Sequence, residues 1–200
     1  MDQLPVDAQD LDAGLTGASI SLDHWDEHLH NRFRNNEQSY SRVRLAVNSC
    51  HEAGILVTLS VCATREFTTP ENLRQYYDLA KAWGAAFIKI LEPRQTGRFQ
   101  DKEVTLGQEQ IELLMNFYLQ SYTHKQYNHH PLVLYPGFDH RRAGCLGAGN
   151  RYLYIDSKGE IHACPFCHGS VGNALHMSLD EATQRLKEKG CTAYGPYTAG

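Results

Sequence analysis

No lysine or arginine precedes Arg32 in this 200-residue chain, and the residues before Ser19 form no apolar run. A secretory signal needs both a basic start and an apolar centre, so none is read. No apolar stretch approaches the roughly 20 residues that a bilayer-spanning helix takes. The basic residues are not clustered and the formal net charge is −4, a balance unsuited to a phosphate backbone, so no nucleic-acid partner is expected. Internal repeats and low-complexity tracts are absent. His51-Glu52 is not followed by the second histidine of a zinc-protease helix. The expected compartment is the cytoplasm, where thiols stay reduced. Clustered cysteines there are more often metal ligands or catalytic groups than disulfides.

What is present is an alternation of strand and helix patterns. Ala18–Leu22, Ile55–Cys62, Ala86–Glu92 and Pro131–Tyr135 are short apolar runs. Between them lie helical patterns. Ser39 can cap the first, which carries Val43, Val47 and Cys50 on one face and stops at Gly54. Thr69 with Pro70 starts the second, with Leu73, Tyr76, Tyr77, Ala80 and Trp83 inward. Thr105 and Gln108 suggest a capping box for the third, lined by Ile111, Leu114, Met115, Tyr118 and Tyr122. Such a series predicts parallel strands joined by right-handed crossovers. It is too short for a closed eight-unit barrel of ~250 residues, which leaves a small doubly wound sheet or part of an open barrel. Either form places ligands at the C-terminal strand ends, which carry Ser21, Asp23, Cys62, Thr64, Arg65, Glu92 and Arg94.

After Pro136 the character changes. Residues 137–150 are rich in Gly, His and Arg without periodicity. A hairpin is predicted from Tyr152–Asp156 and Glu160–Ala163 around Ser157-Lys158-Gly159. Ser178 and Glu181 form a capping box, with Met177 and Ala182 placed as a hydrophobic staple, for a helix running to about Lys189. The two expected domains are 1–136 and 137–200.

The cysteines concentrate in the second part. Eighteen residues separate Cys145 from Cys164, Cys164 and Cys167 form a CxxC pair, and 23 more residues lead to Cys191. Thiolates on a hairpin suit tetrahedral zinc or an iron–sulfur cluster, and zinc ribbons usually bring a second CxxC. Spacing alone leaves zinc, iron, and core or redox cysteines open.

The order of these segments resembles the radical S-adenosylmethionine (SAM) superfamily with a SPASM or twitch-like C-terminal extension. Cys145, Gly159, Cys164, Cys167 and Gly172-Asn173 match the pattern C-x13-G-x4-C-xx-C of that extension. Ser21-Leu22-Asp23 and His30-Asn31-Arg32-Phe33-Arg34 are similar to the family's fourth strand and following loop, with His24 in place of the usual Gly. His51–Glu66 is similar to the fifth strand, and Trp83–Arg98, with Pro93, Thr96, Gly97 and Arg98, to the sixth and the segment after it. The resemblance runs over about residues 10–190.

It implies an α/β fold: the C-terminal half of a partial (β/α)6 barrel with a small Cys-rich hairpin/helix extension. It implies SAM contacts at Ser21, Asp23, Arg32 and Arg34, and an auxiliary [4Fe–4S] cluster on Cys145, Cys164, Cys167 and Cys191. Family members often modify peptides or proteins, so such a substrate is the implied partner. In the intact family a reduced cluster cleaves SAM to a 5′-deoxyadenosyl radical that abstracts a substrate hydrogen. The CxxxCxxC triplet that holds that cluster does not occur in this sequence. The expectation is therefore a C-terminal part of such an enzyme, unable to cleave SAM alone and inclined to self-associate through an exposed barrel edge. The alternatives are a structural zinc module on the same four cysteines, or a small metal-free α/β enzyme using Asp23 and Glu92. Cys50 and Cys62 are expected in the core, and His24, His28 and His30 are weighed only as a minor candidate metal set.

Overall fold

The computed structural model describes residues 14–127, 130–144, 147, 149–167 and 169–189. The chain divides into two compact units, Met1–Pro93 with Glu103–Tyr135, and Arg94–Lys102 with Pro136–Gly200.

The first unit is built on four parallel strands, β1 (Gly17–Ser21), β2 (Leu56–Cys62), β3 (Phe87–Leu91) and β4 (Leu132–Leu134). They lie in the order in which they occur along the chain. A doubly wound sheet needs a reversal of strand order at a switch point. There is none here, so the doubly wound alternative falls and the singly wound arrangement remains. The helices of this unit are α1 (Glu27–Arg34), α2 (Ser39–Glu52), α3 (Pro70–Ala82) and α4 (Gln108–Thr123).

Burial alternates along the strands with the pleat. Ile20, Val57, Leu59, Val61, Ile88, Ile90 and Val133 are buried, whereas Ser21, Leu56, Leu91 and Leu134 on the other face are exposed. One face is therefore the core side and the other is more open, as right-handed crossovers that all return to one face require. Pairing aligns Ser19, Thr58, Phe87 and Leu132 in one row of the open face, and Ser21, Ser60, Lys89 and Leu134 in the next.

Several helix signals act as read. Thr69 accepts the Asn72 N–H at 3.1 Å and Pro70 opens α3. Cys50 is fully buried on α2. Other signals shift. The cap of α4 is Gly107, whose N–H is accepted by the Gln110 side chain at 3.1 Å, two residues beyond Thr105. Phe117 faces the core, and Tyr122 is exposed with its hydroxyl donating to the Val133 carbonyl at 2.7 Å. Ser39 opens α2 without capping it; its hydroxyl is engaged by His30.

The second unit holds α5 (Pro136–Ala143), the antiparallel sheet β5 (Tyr154–Ile155), β6 (Glu160–His162) and β7 (Ser170–Asn173), and α6 (Leu179–Lys189). The hairpin forms around Asp156, whose carboxylate accepts the N–H groups of Lys158 and Glu160 at 2.8 and 2.9 Å. Ser178 accepts the Glu181 N–H at 3.2 Å. Ile161, Ala163, Ala182 and Leu186 make the core, and Met177 and Cys167 pack against it. No helix among the described residues is long and apolar enough to cross a membrane.

Candidate functional site

The C-terminal ends of β1 and β2 meet at Asp23. The residue follows β1 and is only 5% exposed. Its Oδ1 accepts the Cys62 N–H from the end of β2 at 3.1 Å, and its Oδ2 lies 2.5 Å from Arg34 Nε. Its own N–H donates to His30 Nδ1 at 3.0 Å. Leu22, just before it, is held by the Tyr76 hydroxyl, which donates to its carbonyl at 2.8 Å. One carboxylate thus ties the loop after β1 to the next strand and to α1.

The sequence Asp26-Glu27-His28-Leu29 explains why α1 starts there. Asp26 caps it by accepting the Leu29 N–H at 2.9 Å, and Asn35 ends it in the left-handed conformation. Residues four apart share a helix face, so His30 and Arg34 both reach Asp23. His30 is fully buried. Because its Nδ1 accepts the Asp23 N–H, the proton sits on Nε2 and is donated to Ser39 Oγ at 2.9 Å. Burial above all, then the nearby Arg34 and His24, lowers the ring from 6.5 to about 4, so it is neutral at pH 7. Burial pushes the Asp23 carboxyl up, against the pull of Arg34 and of the Cys62 N–H. Burial, with Asp23 beside it, raises the Cys62 thiol to about 11, which keeps it protonated and unreactive.

Of the residues expected to contact SAM, the fold joins Asp23 and Arg34 in one ion pair and puts Ser21 at the end of β1 on the open face. Arg32 lies elsewhere. It lines a polar cavity of about 420 Å³ with His28, Asn31, Asn35, Asn36 and Glu37, about half a turn round α1 from His30 and Arg34. The histidines have backbone tasks. His24 Nδ1 accepts the Asp26 N–H at 2.9 Å and His30 holds Asp23. No group of three or more metal-binding side chains occurs among the described residues. Glu92 accepts the Tyr135 hydroxyl at 2.7 Å, and Arg65 donates to Glu103 and to the Thr105 carbonyl at 2.7 Å each. His30 was missed as a site residue because its histidine-rich neighbourhood reads as a metal set; its spacing of four from Arg34 was the available signal.

In the second unit Cys164-Pro165-Phe166-Cys167 is a tight turn closed by the Cys167 N–H on the Cys164 carbonyl at 3.1 Å. Cys164 is buried and Cys167 half-buried, with the Cys167 Sγ donating to the Gly169 carbonyl at 4.0 Å. Cys145 and Cys191 lie outside the described residues. A Cβ on Gly147 would stand 2.8 Å from the Ala163 carbonyl oxygen, next to Cys164. A Cβ on Gly169 would collide with the Lys189 side chain, two residues before Cys191. Among the described residues, the Gly147 backbone and the end of the Lys189 side chain thus come close to the segment that carries the CxxC turn.

The class defined so far is a singly wound α/β sheet with its polar groups gathered at the C-terminal strand ends, followed by a small thiol-bearing unit. Solved structures share this fold. Native anSMEcpe with bound AdoMet (S-adenosylmethionine) and the Cp18Cys peptide matches with a TM-score of 0.61 at 14% identity, over 92% of this chain and 56% of that one. Streptococcus suis SuiB bound to precursor peptide SuiA matches at 0.57 and 15%, over 88% and 42%. SuiB bound to S-adenosylmethionine matches at 0.54 and 15%, over 88% and 42%. The chain spans about half the length of the solved chains it matches. No protein-family model and no curated protein matches it. At such identities the likeness establishes the fold.

Proposed function

We propose that this chain is the C-terminal part of a cytoplasmic radical SAM/SPASM-type enzyme: a barrel section carrying part of a SAM and peptide pocket, with one auxiliary [4Fe–4S] cluster. The observation that carries the reading is the Asp23 cluster, which fixes the loop after β1 at the strand ends where ligands of α/β sheets bind. The AdoMet and peptides bound by the structural neighbours supply the ligand classes. On this reading Ser21 contacts SAM directly. Asp23 orients Arg34, whose half-exposed guanidinium faces the SAM carboxylate, a charge-assisted contact. Arg32 contributes positive charge from the far side of α1. Cys145, Cys164, Cys167 and Cys191 would hold the cluster, which supplies electron relay or a substrate anchor when bound. The sequence has no CxxxCxxC triplet, so this chain does not by itself generate the radical.

Anaerobic purification with iron, sulfide and zinc analysis tests the reading. The expected result is about four iron and four sulfide per chain. One zinc per chain would establish the structural module instead, and neither metal would leave the small α/β enzyme. With SAM and dithionite the chain alone is expected to release no 5′-deoxyadenosine above the uncatalysed background. Release at enzymatic rates would overturn the assignment of an incomplete catalyst.

A further inference from the structure

The row Ser21, Ser60, Lys89 and Leu134 crosses the open face of the first unit's sheet in register. Lysine is depleted in strands, so one at a central strand position of a sheet needs a reason. Lys89 sits in the middle of β3, between Ile88 and Ile90, each 1% exposed on the core side. It is half-buried, and no hydrogen bond or ion pair engages it among the described residues. The acidic groups at the strand ends are already committed, Asp23 to Arg34 and Glu92 to Tyr135. Next to Lys89 stands Ser60, 6% exposed, whose side chain also makes no hydrogen bond among the described residues.

We propose that Lys89, with Ser60 beside it, is the subsite for a carboxylate of the peptide substrate. Two strand spacings, roughly 10 Å, separate it from Ser21, where the proposed SAM contact lies. The lysine stands two strands away from that contact and is assigned to the second ligand. The substrate is then a peptide with an acidic side chain or a free C-terminus near its reacting residue. The peptide assignment rests on the function proposed above; the anion site rests on the row itself.

The test uses the full chain, isotopically labelled, with the backbone amide signals of Ser60 and Leu134 as reporters. The probes are acetyl-Gly-Glu-Gly-amide, its Gln counterpart, and acetyl-Gly-Gly-Gly with a free C-terminus. A saturable shift with a carboxylate-bearing peptide and none with the Gln peptide is expected; which carboxylate binds tells side chain from terminus. Lys89→Met should weaken that binding about tenfold, the worth of one charged hydrogen bond, and Lys89→Arg should retain most of it. Equal responses to the Glu and Gln peptides, no saturable binding, or an unaffected Lys89→Met variant would overturn the proposal. Loss of SAM binding in Lys89→Met with peptide binding intact would reassign the lysine to SAM and overturn it too. If the wild-type chain binds the carboxylate peptide but not SAM, the subsite stands and the SAM reading fails.

Discussion

At the residue scale, His30 shows how a side chain that titrates near neutrality becomes a structural pin. Its ring accepts one backbone N–H and donates to one hydroxyl, a pair of bonds that only the neutral Nε2–H tautomer makes. The ring's value is 6.5 when exposed and about 4 in the fold. A lowered base stabilises the fold fully above the unfolded value, and that contribution is lost as pH falls through the folded one. The difference corresponds to about 3 kcal/mol, lost between pH 6.5 and about 4. Asp23 is raised instead, so its contribution runs the other way, being lost as pH rises past 3.8. A comparison of variants is therefore needed to isolate His30. Urea unfolding of wild type and His30→Gln at pH 7 and pH 4.5 provides it. The variant should be less stable at pH 7, and the gap should shrink markedly at pH 4.5. An unchanged gap would show that the ring stays neutral in both states or is protonated in both.

At the scale of elements, apolar runs made the strands legible. Ile55–Cys62 and Ala86–Glu92 bury alternate side chains so thoroughly that composition alone marks them. Helix α1 was not legible, for a physical reason. Its inward face is His30 and Asn31, whereas Leu29 and Phe33 are 41% and 40% exposed, so its apolar stripe points the wrong way. Helix α5 buries only Gly137 and Phe138, too little for a periodic signal. Without α1, Arg32 and Arg34 look equivalent; with it, only Arg34 falls on the Asp23 side. Asp23 itself was readable as a strand-end carboxylate, but its partners come from β2 and α1 and needed the fold. The glycines around the CxxC turn carry the next prediction. Gly147→Ala places a Cβ against a backbone carbonyl at 2.8 Å, which cannot yield without moving the hairpin. Gly169→Ala meets only the flexible end of Lys189. Iron content after anaerobic reconstitution should drop clearly for Gly147→Ala and change little for Gly169→Ala. Equal iron in both variants would mean that the Gly147 segment takes no part in the metal centre.

At the scale of the whole molecule, the sheet's outer strands decide how copies of the chain meet. Among the described residues β1 bonds only to β2, and β4 only to β3. The ladder shows which way the backbone of β1 points. The Thr16 carbonyl accepts from Leu56 and the Leu22 N–H donates to Ser60, so the alternate residues 16, 18, 20 and 22 face β2. Gly17, Ser19 and Ser21 then direct their N–H and carbonyl groups to the other side, a template for pairing with another chain. Self-association that grows with concentration is expected in sedimentation velocity. Ser19→Pro removes one outward N–H while sparing the bonds to β2, and proline is tolerated on such an edge. It should shift the chain toward monomer without lowering the thermal midpoint by more than a few degrees, a loss of under about 1 kcal/mol. Ala18→Pro, which removes an inward N–H, should instead destabilise the sheet. A wild-type chain that sediments as a monomer at every concentration would refute the exposed edge. Association unchanged by Ser19→Pro would move the contact elsewhere, with the exposed Leu175 and Leu179 of the second unit next to be tested.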